Sequence, residues 1–372
     1  MIKLLLLSLL SCTACFAQSV TIPQIPYSPE HYVCYKTHEP VTIDGIPDEP
    51  QWNKVNWTNM FTDISGGSKT APRFLTRARM LWDENYFYVA AEMEEPHIWA
   101  TLRNRDDRIY NDNCFEVFID PDGDTRNYCE LEINALNTVW DLLLTGTYRD
   151  VRKPAVSGWD IKGLKTSVSI KGSLNNPDDK DTGWTAEIAI PWKALRELTS
   201  ASVPPHNNDQ WRINLMRVEW ESMNDGSTYR KRVNPDDGSP RTDYWCWSPQ
   251  GLVSMHYPEM WGFVQFSEKS AGTGEDKFIR NAEDEARWFL RRLYYAEKNY
   301  YGKNLKYTSD PEVLELNDQI IPGYITPTVI ECTSSMFEAS VTTNDRTGRI
   351  SIDHNGIIRS SNTHKQQQTS DQ

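Results

Sequence analysis

The sequence predicts a mainly β fold, an antiparallel β-sandwich of immunoglobulin or jelly-roll type, followed by a small α+β region with one long helix. Three observations carry that reading. Strand-like runs recur about every ten to fifteen residues between Ala78 and Phe266, separated by clusters of Gly, Asp, Asn and Pro. Several of these runs alternate apolar and polar residues, the two-residue period of a half-buried strand. Beyond Ser267 the apolar residues change to helical spacing.

Taken in order, residues 1–17 (MIKLLLLSLLSCTACFA) place one Lys before an apolar run and end on a small residue, the layout of a cleaved secretory signal. Cys12 and Cys15 sit where a bacterial lipoprotein signal could place its lipidated cysteine. The apolar run is too short to span a bilayer, and the chain is expected in the periplasm, outside the cell or anchored to its envelope. Residues 18–268 form the expected sandwich, with strands at Ala78–Trp82, Tyr86–Met93, Cys114–Asp120, Tyr128–Asn134, Thr138–Leu144, Lys165–Lys171, Trp184–Ile190, Trp211–Trp220 and Trp261–Phe266. Polar, turn-rich stretches at Gly172–Gly183 and Asn224–Asp243 read as exposed loops.

Residues 269–359 read as a separate appendage. Linker-like residues lead to a helix over Asp276–Tyr301, with Phe278, Ala282, Ala286, Phe289, Leu293, Ala296 and Tyr300 on one face and Gly302 as its stop. Short β-like runs follow at Thr328–Cys332, Phe337–Val341, Arg349–Ile352 and Gly356–Ile358. A helix leading into a small antiparallel sheet resembles the αβ roll of pilin-like proteins. Residues 360–372 are poor in apolar side chains and read as disordered.

Composition narrows the function. A formal net charge of −13 argues against nucleic acid and anionic membrane surfaces, both of which need a basic patch. Beyond the leader lie Cys34, Cys114, Cys129, Cys246 and Cys332, with neither the paired spacing of a zinc site nor a disulfide framework. Cys114 and Cys129 flank a tight turn and could face each other across a hairpin, although buried free thiols are the simpler reading. Fourteen Trp and seventeen Tyr are a heavy load of flat side chains, and exposed ones suit stacking against the C–H face of a sugar ring.

Alternation places Phe115, Val117 and Ile119 on one face of their strand and Glu116 on the other. If Leu131 and Ile133 join the core beside them, Glu116, Glu130, Glu132 and Asn134 line a single polar face. Like charges opposed across strands destabilise, so such a face needs a partner: a polyol, a cation, or Arg126, Arg212 or Arg217.

Three segments, VTIDGIPDEPQW from Val41, ARMLWDENYFYVAAEMEEP from Ala78 and DNCFEVFIDPDGD from Asp112, resemble the opening and middle of the carbohydrate-binding module family 9 fold, with the likeness running from about Val41 to Phe266. The resemblance implies non-catalytic binding of a polysaccharide or oligosaccharide between two aromatic rings, which fall at Tyr110 and at Trp247 in YWCWSPQG. It assigns polar contacts to Asp112, Glu116 and Asn134. The family's Arg beside the sugar falls near Glu132, so the sign of the site changes. The family also holds structural calcium, for which Asp44, Asp48 and Glu49 offer ligands, and a glycoside hydrolase encoded separately is an expected partner.

Two other functions compete. Paired carboxylates could serve a glycoside hydrolase as acid and base, although no G-x-S-x-G, H-E-x-x-H or phosphate loop occurs. Wider relatives of this sandwich bind haem through Met and Lys or His; Met93, Met216 and Met255 are available here but read as packing. Asp120, Asp122 and Asp124 surround Gly123 without the EF-hand spacing and read as an acidic turn.

Overall fold

A computed structural model describes residues 19–67, 71–316 and 320–362, which leaves the expected secretory leader and residues 363–372 of the expected tail outside the described residues. The chain divides into two compact units: one of residues 22–281, the other of residues up to 21 together with 282 onward.

The first unit is the sandwich. Its strands are β1 (His31–Lys36), β2 (Thr62–Asp63), β3 (Thr76–Trp82), β4 (Tyr86–Glu94), β5 (Cys114–Asp120), β6 (Tyr128–Asn134), β7 (Val139–Leu144), β8 (Ala155–Val156), β9 (Lys165–Lys171), β10 (Gly183–Pro191), β11 (Gln210–Trp220), β12 (Ser222–Asn224), β13 (Tyr229–Lys231), β14 (Thr242–Cys246) and β15 (Gly262–Ser270), with a single helical turn, α1 (Trp192–Leu195), after β10. One half-sheet runs β8-β7-β6-β5-β11-β15 and the other β3-β4-β10-β9. Their inner faces meet in the main core, where Phe115, Val117, Ile119, Leu131 and Ile133 pack with Met80, Trp82, Val89, Trp184 and Ile188.

The sandwich is antiparallel as its alternating strands imply, with one strand among the described residues pairing in the other sense. Strand β1 joins the halves by pairing parallel to β15 and to β3. Parallel pairing is open to it because the chain that connects it to β15 spans most of the sandwich, whereas a hairpin would force the antiparallel sense. The stretch Asn224–Asp243, read as a loop, contains β13, which pairs with β12 as a short hairpin.

The opening motif caps the outer face of the second half-sheet, where Val41, Trp52 and Val55 pack on Leu81, Tyr88 and Ala90. Its Gly45 takes φ of +91°, and a Cβ there would lie 2.6 Å from the Val168 carbonyl carbon, so glycine is required. Glu187 on β10 ties the motif down, accepting from Gly45 N (2.9 Å) and Trp52 Nε1 (3.0 Å).

The expected helix begins six residues late, as α2 (Ala282–Asn304). Residues 276–279 lie outside the helix because sandwich side chains claim their backbone groups: Asp276 N donates to Tyr35 Oη (2.7 Å), Ile279 N to Gln265 Oε1 (2.8 Å), and Ile279 O accepts from Gln210 Nε2 (2.6 Å). Phe278, counted on the helical face, instead stacks on His31 at 4.5 Å. In the second unit α2 packs on an antiparallel meander of β16 (Tyr324–Cys332), β17 (Phe337–Thr343), β18 (Gly348–Asp353) and β19 (Ile358–Asn362). Ser360, Ser361 and Asn362, read as disordered, close that sheet by pairing with β18. All five described cysteines are free thiols. Cys114 and Cys129 point to opposite faces of the hairpin, one opposite Asn134 and the other opposite Ile119, so they cannot meet.

Candidate functional site

The outer face of the first half-sheet carries the site. On one rung Trp140, Glu132, Glu116 and Met216 stand side by side across β7, β6, β5 and β11. On the next rung toward the turn stand Leu142, Glu130 and Phe118. Glu116 and Glu132 are thus directly opposed, as the alternation of the two strands implies. The 253–256 loop, Ile64, Tyr110 and Tyr148 rise around this face and enclose a cavity of about 270 Å3. Tyr110, Trp140, Tyr148 and Tyr244 supply aromatic walls, and Glu116, Glu130, Glu132 and His256 supply the polar groups.

The carboxylates are deeply placed: Glu116 and Glu132 are 1% exposed and Glu130 is 7% exposed. Burial pushes the Glu116 carboxyl well above the usual range, and the charge of Glu130 adds to it. Burial, then Glu116 and Glu130, do the same to Glu132, while the Tyr110 backbone N–H (2.7 Å) pulls the other way. Glu130 is raised to about 7 by burial, opposed by its hydrogen bond with Glu132. Burial lowers His256 to about 4, so its ring is neutral; Nδ1 lies 3.0 Å from Tyr128 Oη and Nε2 3.9 Å from Glu130 Oε2. Glu116 Oε1 accepts from the Cys114 thiol at 3.3 Å, and Glu116 Oε2 is buried with no hydrogen-bond partner.

Among the described residues no Lys or Arg lines the cavity. Arg217 is committed on the opposite face of β11 to Glu95 (2.8 Å) and Glu219 (2.9 Å), and Arg212 donates to the Trp261 carbonyl and to Tyr27 Oη. Arg126 sits in the hairpin turn, where its backbone N–H donates to Asp124.

The six residues read from sequence divide evenly. Tyr110, Glu116 and Glu132 meet in the cavity. Asp112 and Asn134 do not reach it, because together they hold the 101–102 turn: Asp112 accepts from Thr101 N (2.8 Å), Leu102 N (2.9 Å) and Asn134 Nδ2 (3.0 Å), and Asn134 Oδ1 takes Leu136 N and Thr138 N. Trp247 is 2% exposed in the main core, with Gly262 packed on its ring. Parity explains it: Cys246 opposes Met216 on the cavity face, so Trp245 and Trp247 turn inward and Tyr244 faces out. Trp140, Tyr148, Tyr244 and His256 were missed. Trp140 was legible, since it shares the parity of Glu132's neighbours on β7; Tyr148 and His256 come from loops with no local signal.

For metals, three groups of acidic or thiol ligands converge among the described residues: Cys114, Glu116 and Glu132; Asp106, Asp141 and Asp160; and Asp120, Asp122 and Asp124. Asp44, Asp48 and Glu49 form no such group. The Asp44 carboxylate accepts from Ile46 N and Glu49 Oε1 from Thr42 N, while Glu49 Oε2 is buried without a hydrogen-bond partner. Asp120 uses both oxygens on Gly123 N and Thr125 N, as an acidic turn does. Met93 lies in the main core and Met216 and Met255 pack in the cavity wall, where Asn214 donates to the Met255 sulfur; the cavity is too small for a porphyrin.

Residues 43–269, well over half of the 372, match the family described as Carbohydrate family 9 binding domain-like. The chain belongs to that family. Among curated proteins it is similar to the exoglucanase XynX of Acetivibrio thermocellus, with 26% identity over 164 residues, 43% of this chain and 12% of that enzyme. Among solved structures, a Bacteroides uniformis protein studied as a carbohydrate-binding candidate aligns over 64% of this chain and 100% of its own, with 19% identity and a TM-score of 0.48. A family 9 module of Caldicellulosiruptor kristjanssonii in complex with cellotriose aligns over 67% and 100%, with 18% identity and a TM-score of 0.40. No helix among the described residues is long and apolar enough to cross a membrane.

Proposed function

We infer that this family 9 chain is an exported, non-catalytic glycan-binding protein, and that the cavity over β5 and β6 is where it holds the sugar. The observation that carries this is a pocket with four aromatic side chains around buried carboxyl groups, since rings stack on the C–H face of a pyranose while carboxyls bind its hydroxyls. At about 270 Å3 it suits a single ring or chain end rather than an extended polymer. Affinity should be modest, because a few hydrogen bonds contribute about 0.5–1.5 kcal/mol net each. The leader-like first 17 residues support export, and a hydrolase encoded separately would supply the cleavage that a binding module lacks.

One observation favours the competing hydrolase reading: Glu116 and Glu132 lie close together with carboxyls pushed well above the usual range, as a general acid's would be. Their placement speaks against it. A glycosidase sets its two carboxyls on either side of the scissile bond, whereas these stand on adjacent strands of one wall. A glycan array followed by calorimetry tests the assignment. Trp140→Ala and Tyr148→Ala should each lose binding with an unchanged melting transition, and release of reducing sugar would move the protein among the hydrolases. Undiminished binding in both variants would place the sugar elsewhere.

A further inference from the structure

We propose that the sugar held in this cavity carries a free, protonated amine, so that the site selects an amino sugar over its neutral counterpart. The inference rests on the glycan assignment above and names the ligand class. Its starting point is the unpartnered Oε2 of Glu116, which belongs to a side chain 1% exposed that lines the cavity. A buried carboxylate oxygen left without a donor costs free energy, and the surrounding protein offers it none.

The rest of the wall deepens that deficit. Glu132 stands directly across the ladder from Glu116, and Glu130 hydrogen-bonds to Glu132, so three carboxyls share one buried patch. Among the described residues no Lys or Arg lines the cavity, His256 is held neutral by burial, and Arg217 and Arg212 are engaged elsewhere. A protonated carboxyl, like the amide of Asn or Gln, both donates to and accepts from a neutral hydroxyl, but only a carboxyl can ionise, and a nearby cation favours that charged form. Three carboxyls become favourable when the ligand brings the cation. An ammonium donates three hydrogen bonds, and those to a carboxylate are roughly twice as strong as neutral ones.

The walls point the same way. Tyr110 and Trp140 lie 5.9 Å apart, and Tyr148 meets His256 edge-on at 4.6 Å, so ring faces and edges surround the acidic floor. Aromatic faces attract cations electrostatically, more strongly once water is removed. A bare metal ion would use the Cys114, Glu116 and Glu132 group but would leave these rings without a role. A sugar ring with an ammonium substituent uses both the rings and the acids.

The experiment is calorimetry on the full chain with glucosamine, N-acetylglucosamine and glucose at about pH 6.5, below the range of α-amino groups, so that the free amine is charged. Glucosamine should bind at least about tenfold more tightly than either neutral sugar, and Glu116→Gln should drive the ratio of glucosamine to glucose affinity toward one. The wild-type comparison stands even if that variant fails to fold. Equal affinities for glucose and glucosamine overturn the amine inference while leaving the glycan assignment intact. No binding of any sugar, including neutral oligosaccharides on an array, overturns both. Zinc or calcium that raises the melting temperature and displaces glucosamine would make the acids a metal site and also overturn the inference.

Discussion

Replacing Glu130 by Gln probes the electrostatics of the cavity without any ligand. Burial holds the Glu130 carboxyl at about 7, against roughly 4.3 for an exposed Glu, and only the hydrogen bond with Glu132 offsets it. Between those two values the folded chain retains a proton that the unfolded chain has released, so stability falls as pH rises. The stabilisation from proton retention is fully present below about 4.3 and is gone above about 7. The displacement from roughly 4.3 to about 7, at about 1.4 kcal/mol per pH unit, gives ~3.5 kcal/mol across that window. Because Glu116, Glu130 and Glu132 titrate together, this figure belongs to the cluster. Glutamine keeps the shape and hydrogen-bonding capacity of a protonated carboxyl and cannot ionise. Urea unfolding of both proteins from about pH 4.5 to 8 should show near equality in acid and a Glu130→Gln variant more stable by up to ~3.5 kcal/mol at the alkaline end. Parallel pH profiles would refute the reasoning, for they would mean that Glu130 is solvated and ionised throughout.

Three further outcomes follow from packing. Trp247→Ala should destabilise the sandwich by about 3–5 kcal/mol, as large-to-small core changes do, with sugar affinity per folded molecule retained; unchanged melting with lost binding would return Trp247 to the site. Arg217→Ala leaves Glu95 buried without its cation and Glu219 with only the 3.9 Å contact to Arg73, and should cost about 3–5 kcal/mol by thermal melt, whereas a loss below about 1 kcal/mol would show the network to be solvated. A chain ending at Asn281 should melt higher than one ending at Ser267, because the shorter chain strips partners from Tyr35, Gln210 and Gln265 worth about 0.5–1.5 kcal/mol each; identical transitions would place residues 276–279 outside the sandwich.

The sequence by itself determined what depends on neighbours along the chain. The two-residue period of Cys114–Asp120 and Tyr128–Asn134 sorted Val117 and Leu131 to the core and Glu116 and Glu132 to one face, and the tight turn at Gly123 made them a hairpin, as the register confirms. The three spaced motifs likewise identified the family that residues 43–269 match. What depends on distant partners was not legible. The parallel placement of β1 is decided by β15, more than two hundred residues away. Residues 276–279 have a helical pattern of side chains, yet bonds to Tyr35, Gln210 and Gln265 keep them out of the helix, because local propensity is weak against satisfied tertiary hydrogen bonds. Trp247 and Tyr244 look alike as aromatic loop residues until the pairing of Cys246 with Met216 fixes which one turns inward. Tyr148 and His256 reach the cavity from loops that carry no period, so only the folded chain brings them to Glu130.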